Sequence, residues 1–209
     1  MAMKIWGRDS SSNVMKVLWL CEELGLPYER IDAGGDFGKT TEPFYLAMNP
    51  NSRVPTLEEE DGFTLWESNS ILRYLCNSRA PGNPIYPQAP KQRADMERWM
   101  DWQLATLNAP MVTVFFTYVR IPEAKRDYPA TARARDEAEK LWTILDRQLQ
   151  GRDYLVGDFT LADIVMGPYL HRWFQLPIPR ADLPNLAAWY ERLQAKHAGF
   201  AKHVAVKMT

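Results

Sequence analysis

Three consecutive serines and an asparagine, Ser10-Ser11-Ser12-Asn13, follow a short strand-like run, Lys4-Ile5-Trp6. Behind them Val14, Val17, Leu18, Cys21 and Leu24 recur at helical spacing. Serine and asparagine lead the N-cap preference, so one reading of the cluster is plain helix capping. The other reading is chemical. A helix start presents unpaired N–H groups and the positive end of the dipole, and a hydroxyl beside them can donate to an anion. Glu67-Ser68-Asn69-Ser70 is a second start of this kind, ahead of the apolar face Ile71, Leu72, Leu75 and Cys76. Two such starts in one small α/β region point to a small anionic ligand without identifying it.

Other chemistries find less support. Ala33-Gly34-Gly35-Asp36-Phe37-Gly38-Lys39-Thr40 almost matches a phosphate-cradling loop, with Ala at its first glycine. That motif needs a buried apolar strand before it and a long helix after it. Here Glu29-Arg30-Ile31-Asp32 is charged, and Pro43 follows three residues past Thr40, so loop punctuation is the better reading. His171, His197 and His203 have no Cys or His partner at zinc spacing, and no metal is expected. Cys21 and Cys76 are far apart in apolar stretches, without a C-x-x-C arrangement, and read as buried free thiols.

The elements that must hold these residues follow from the pattern. Gly25 is a natural stop for the first helix, with Pro27 two residues on. Tyr28 to Asp32 and Val54 to Leu57 read as strands. Asp61-Gly62 is a hairpin turn, and Phe63 to Trp66 is the returning strand. One or two helical turns are expected near Phe44 to Met48, and Ser68 is expected to cap the next helix. The order β-α-β-α-β-β-α gives a small mixed sheet with helices. Ala80 to Pro90 carries four prolines and reads as a linker. Beyond it the pattern is helical. Met96, Trp99, Met100, Leu104, Leu107 and Met111 share one face, and Ala138, Leu141, Trp142, Leu145 and Leu149 share another. Leu161, Ile164 and Val165 begin a third stripe, expected to kink or stop at Gly167-Pro168, and Leu186, Trp189, Tyr190 and Leu193 make a fourth.

Composition bounds the rest. The 209 residues carry 25 Lys and Arg against 26 Asp and Glu, a net charge of −1, which excludes a general nucleic-acid footprint. Hydrophobic residues make up 46% of the chain, ordinary for a globular protein with its own core. Met1 to Asn13 shows no leader pattern, and no apolar run is long enough to span a bilayer, so the expectation is a cytoplasmic protein without membrane partners.

Four segments together resemble the cytosolic glutathione transferases, and the match covers essentially the whole chain. They are 11–17, SSNVMKV; 49–57, NPNSRVPTL; 66–75, WESNSILRYL; and 157–163, GDFTLAD. The serine-type start is most similar to the theta, zeta and related bacterial branches. The tyrosine-type classes do not fit, because Trp6 stands where their tyrosine is expected. The resemblance implies an α/β plus all-α architecture: a thioredoxin-like domain over residues 1–79, the linker at 80–90, and an all-helical domain over 91–209. It implies glutathione as cosubstrate, a homodimer, a detoxification role, and a serine hydroxyl holding the thiolate. Counted back from Lys16, both Ser11 and Ser12 are admissible; Ser11 is preferred, with Asn13 as a supporting or alternative donor.

The resemblance further implies a cis bond before Pro55, leaving the Val54 backbone free to pair with the cysteinyl part of glutathione. Glu67 and Ser68 would take the γ-glutamyl end, and Lys39 and Arg53 are the nearby cations for the glycyl carboxylate. Arg98, Asp101 and Gln103 are candidates to reach the partner subunit's ligand. Met111, Phe115, Phe116, Tyr118 and Trp173 are expected against an apolar electrophile. Conjugation, dehalogenation, peroxide reduction and isomerisation are all compatible with such a site. The alternative is a non-catalytic module of the same fold that carries a ligand or joins an assembly.

Overall fold

The computed structural model describes residues 3–208. Met1, Ala2 and Thr209 lie outside them, and with them the outer ends of the segments 1–79 and 91–209. The N-terminal domain is a four-stranded sheet with helices. Its strands are β1 (Met3–Trp6), β2 (Tyr28–Ile31), β3 (Thr56–Glu58) and β4 (Thr64–Trp66), in the order β2-β1-β3-β4. β1 and β2 run parallel, joined by α1 (Ser12–Leu24); β3 is antiparallel to both β1 and β4. Ile5 pairs with Leu57, and Leu57 with Leu65. Ile5 and Leu57 are fully buried, which pins the register from the core side. Gly25 ends α1 at φ 62°, a left-handed position open to glycine without a Cβ clash. α2 (Pro43–Met48) and α3 (Ser68–Arg79) complete this half.

The C-terminal domain is helical: α4 (Pro90–Trp102), α5 (Asn108–Phe115), α6 (Tyr128–Gln148), α7 (Leu161–Gln175), α8 (Pro184–Lys196) and α9 (Ala198–His203). α7 is the central rod, buried along Leu161–Trp173. Thr160 caps it through a capping box with Asp163. α1 packs on α3, α7 and α9, so the helix that opens with the serines joins the two halves. Its Trp19 is fully buried against Phe200, with the rings 5.1 Å apart. Among the described residues no helix is long and apolar enough to cross a membrane.

Three local expectations are corrected. Glu67, not Ser68, occupies the N-cap of α3. α7 does not stop at Gly167-Pro168 but runs on to Gln175, because its burial on every side outweighs the proline's lost hydrogen bond. Leu104 does not share the inner face of Met96, Trp99 and Met100. Gln103–Leu107 forms a π-helical turn whose wider winding shifts the face, leaving Leu104 48% exposed and Gln103 fully buried.

Candidate active site

The turn after β1 sets the site. Gly7 N–H donates to Ile31 O at 2.8 Å and Arg8 N–H to Ala33 O at 3.0 Å, anchoring the chain to the β2 side before it enters α1. Ser11 is the N-cap residue, with extended backbone (φ −81°, ψ 123°), yet its side chain makes no capping bond to its own helix. Ser12 is 9% exposed and its hydroxyl faces the buried Tyr169 phenol. Asn13 Oδ1 accepts a hydrogen bond from Ser68 Oγ at 3.3 Å. This bond joins the start of α1 to the start of α3, so the two anion-friendly helix ends form one site.

Glu67 enters α3 with φ 71°, a conformation that residues with a side chain rarely adopt, while its carbonyl accepts from Ile71 N–H at 2.9 Å. Such backbone settings cluster at ligand sites. Ser68 is buried beside it, and the Glu67 side chain is exposed.

The Val54–Pro55 peptide is cis, as the resemblance implies. The backbone N–H and C=O of Val54 make no hydrogen bond among the described residues. The segment is held from behind. Tyr45 Oη donates to Arg53 O at 2.7 Å, Asn49 Nδ2 donates to the same carbonyl at 2.8 Å, and both side chains meet Thr56 Oγ1. β3 begins at Thr56, so Val54, expected inside a strand, lies in a bend ahead of it; Tyr45, Asn49 and Thr56 are buried, and that bend is rigidly presented. Arg53 is exposed, and Lys39 is half-buried with its Nζ 6.0 Å from the centre of the Trp6 ring. Neither forms an ion pair among the described residues.

Behind α1 lies a buried polar group that sequence reasoning did not assign. Lys16 is fully buried; its Nζ donates to Gln103 Oε1 at 2.6 Å and sits 5.3 Å from the centre of the Tyr169 ring. Tyr169 Oη in turn donates to Asn108 Oδ1 at 2.7 Å. Burial pushes the Lys16 amine down to about 7, with Glu67 opposing and Arg172 assisting that shift. One signal was in the sequence: Lys16 interrupts the apolar run from Val14 to Cys21. Gln103 is therefore fully buried inside the protomer, with its Oε1 bonded to Lys16. Asp101 pairs with Arg73 at 3.0 Å, and Arg98 pairs with Asp95.

The residues expected around an electrophile divide. Phe115 and Phe116 lie together, with ring centres 6.1 Å apart; Phe115 is buried and Phe116 is 48% exposed. Met111 and Trp173 belong to the core: Met111 Sδ accepts from Trp142 Nε1 at 3.4 Å, and Trp142 packs on Trp173. Tyr118 is half-buried beneath Arg126 and beside Tyr128. Cys21 and Cys76 are buried, and burial pushes both thiols up to about 12, far from a thiolate nucleophile. His171 bonds Tyr190 Oη and Val206 O, a structural role.

A four-stranded sheet domain joined to a helical domain, with two helix starts meeting beside an unpaired backbone bend, is the architecture that the resemblance to glutathione transferases implies. The family model for the glutathione S-transferase N-terminal domain matches residues 10–78, and that for the C-terminal domain matches residues 128–192. Glutathione S-transferase GstB of Escherichia coli K12 is 38% identical over 196 residues, 93% of this chain and 94% of the relative. A theta-class glutathione S-transferase from Xanthomonas axonopodis pv. citri, solved with glutathione bound, superposes with a TM-score of 0.94. It is 43% identical and covers 100% of this chain and 99% of its own. A Pseudomonas fluorescens glutathione S-transferase superposes with a TM-score of 0.85 at 29% identity, covering 100% and 99%. The chain belongs to the glutathione S-transferase family.

Proposed function

We propose that this transferase activates glutathione through the Ser11 hydroxyl, which donates a hydrogen bond to the thiolate at the N-terminus of α1. One observation carries the assignment. Of the two candidate hydroxyls, that of Ser12 faces Tyr169 while that of Ser11 is not spent on its own helix; Asn13 accepts from Ser68 through Oδ1 and keeps its Nδ2 donors for a supporting contact. The energetics suffice without a general base. A free thiol with pKa about 8.5 is about 3% ionised at pH 7, and lowering it to about 6.5 needs about 2.7 kcal/mol. A charge-assisted hydrogen bond supplies about 1.5–3 kcal/mol, and a helix start adds about 1.

The rest of glutathione follows the site's shape. The unpaired Val54 backbone, before cis-Pro55, would take the cysteinyl unit as an added strand does. The N–H groups at the α3 start, with the Ser68 hydroxyl turned from Asn13 Oδ1 toward the ligand, would hold the γ-glutamyl carboxylate, and the Glu67 carboxylate would lie near its ammonium. Lys39 and Arg53 would face the glycyl carboxylate. Phe115, Phe116 and Tyr118 would line the path of an electrophile with an apolar body. The working state is a cytoplasmic homodimer in detoxification.

The test is a titration of thiolate absorbance of bound glutathione. Ser11→Ala is expected to raise the thiol pKa by about 1–2 units and to lower kcat/KM about 10- to 100-fold. Ser12→Ala is expected to do less. An unchanged thiol pKa in Ser11→Ala removes Ser11 from the role. Retention on immobilised glutathione without turnover of any electrophile would favour a ligand carrier instead.

A further inference from the structure

Three arginines from three elements are linked through the serine turn and Phe115: Arg172 touches both, Arg8 lies in the turn, and Arg120 lies near the ring. Arg8 lies between β1 and α1, Arg120 ends the π-helical turn after α5, and Arg172 lies on α7. Arg172 is 7% exposed; its Nη2 donates to Ser10 O at 3.3 Å and its Cζ sits 3.8 Å from the centre of the Phe115 ring. Arg120 Cζ lies 5.9 Å from the centre of the same ring. The Arg8 side chain runs along Gly34 and Gly35. A Cβ on Gly34 would meet Arg8 Nη1 at 3.0 Å, and one on Gly35 would meet its Cδ at 3.3 Å. Arg8 Nε is buried without a partner.

These three guanidinium groups are poorly compensated. Among the described residues none of them forms an ion pair. The acidic groups that face them are the exposed Asp36, toward Arg8, and the Tyr169 phenol, toward Arg172. Their fields overlap. Burial first, and then Arg120 and Arg8, bring Arg172 down to about 10, and Arg120 also lowers Arg8. Holding like charges together out of water is costly, and an anion seated among them removes that cost. Arg172 has structural contacts with Ser10 O and the Phe115 ring, but Arg8 and Arg120 make no side-chain hydrogen bond among the described residues, so stability alone leaves the cluster unexplained.

We propose that Arg8, Arg120 and Arg172 form a subsite for a carboxylate carried by the electrophile, so that this transferase prefers anionic second substrates. Planar guanidinium groups match a carboxylate in paired, charge-assisted hydrogen bonds. Phe116, which is 48% exposed, supplies the apolar side for the body of the same molecule, with the buried Phe115 supporting it and Arg172 from behind. The inference rests on Ser11 as the partner of sulfur, because Arg172 is bonded to the adjacent residue, Ser10. The reacting carbon would then lie between sulfur and the arginines. With 4-chloro-3,5-dinitrobenzoate, a C–S bond forms at the carbon bearing chlorine. Chloride leaves with the C–Cl electron pair, the thiol proton goes to solvent, and the carboxylate is unchanged.

Two measurements test this. In the first, the protein is saturated with S-methylglutathione, so that the glycyl carboxylate site is filled, and binding of 3,5-dinitrobenzoate and of neutral 1,3-dinitrobenzene is followed by calorimetry. The benzoate is expected to bind at least about tenfold more tightly, and Arg120→Ala is expected to abolish the preference while Arg120→Lys keeps part of it. Equal affinity for the two probes, or a preference intact in Arg120→Ala, overturns the proposal. The second measurement is the ratio of kcat/KM for 4-chloro-3,5-dinitrobenzoate to that for 1-chloro-2,4-dinitrobenzene. Arg8→Ala and Arg120→Ala should lower this ratio at least about tenfold, and added salt should lower it in the wild type. An unchanged ratio overturns the subsite. Ser11→Ala should lower both rates together and leave the binding preference intact, so failure of the serine assignment and failure of the arginine subsite give different results.

Discussion

A lysine buried at full depth beneath the serine turn is held there at a cost. Among the described residues Lys16 has one hydrogen-bond acceptor, Gln103 Oε1, and the face of Tyr169, which do not replace the water it gives up. Its amine falls from an ordinary 10.5 to about 7, burial being the main cause. The sign of the consequence is fixed. Between about pH 7 and 10.5 the unfolded chain holds a proton on Lys16 that the folded chain has released, so the residue's contribution to stability improves as pH rises through that window. Below pH 7 both states are protonated and the burial cost is felt in full. In urea unfolding, the stability of the wild type relative to Lys16→Met is therefore expected to rise from pH 7 to pH 10; parallel pH curves would show that the amine is not destabilised by burial. At this scale the two helix starts, Ser10-Ser11-Ser12-Asn13 and Glu67-Ser68, were legible in the sequence because capping chemistry is local, whereas Val54 and the cis bond before Pro55 came through the resemblance alone. The contacts of Lys16 with Gln103 and of Arg172 with Ser10 were not, because their partners lie 87 and 162 residues away.

Secondary structure was readable wherever one local pattern decided it. The stripe in α8, the Gly25 stop and the Asp61-Gly62 hairpin are of this kind. It was not readable where packing overrode the pattern. The π-helical turn at Gln103–Leu107 exchanges Leu104 for Gln103 on the inner face, and Lys16, together with the Tyr169 phenol, gives a polar side chain a reason to be inside. Gly167-Pro168 carries the same lesson. A proline costs a helix interior about 3 kcal/mol, but α7 buries its whole surface from Leu161 to Trp173, and each buried large apolar side chain returns about 1.5–3 kcal/mol. Gly167 is there for contact. A Cβ at this position would stand 2.4 Å from Trp19 Cζ3 and 3.1 Å from Phe200 Cε2. Gly167→Ala is thus expected to destabilise by about 1–3 kcal/mol in chemical denaturation, despite alanine's better helix propensity. A variant as stable as the wild type would mean that Trp19 can retreat and that the α1–α7 seam is not tightly packed.

For the molecule as a whole, the sequence read alone implied a pair of subunits through resemblance and through nothing else. The structure adds a physical motive. Phe63 at the β3–β4 hairpin and Trp66 at the end of β4 are 44% and 38% exposed, and Phe44 and Leu46 of α2 are 45% and 38% exposed. Large apolar side chains left in water on one domain mark contact surfaces more often than isolated surface residues do. Phe63 packs its ring 5.4 Å from that of Tyr74, so it is held in place rather than free to fold inward. Burying such a phenylalanine in a partner contributes about 2 kcal/mol to association, and a carboxylate in its place would have to be desolvated without a partner. Light scattering is expected to give the wild type about twice the protomer's 24.2 kDa. Phe63→Glu is expected to weaken association by at least about tenfold, moving the protein toward the monomer at micromolar concentration. If Phe63→Glu associates as the wild type does, the hairpin is not in the subunit contact, and the exposed face of α2 becomes the surface to test next.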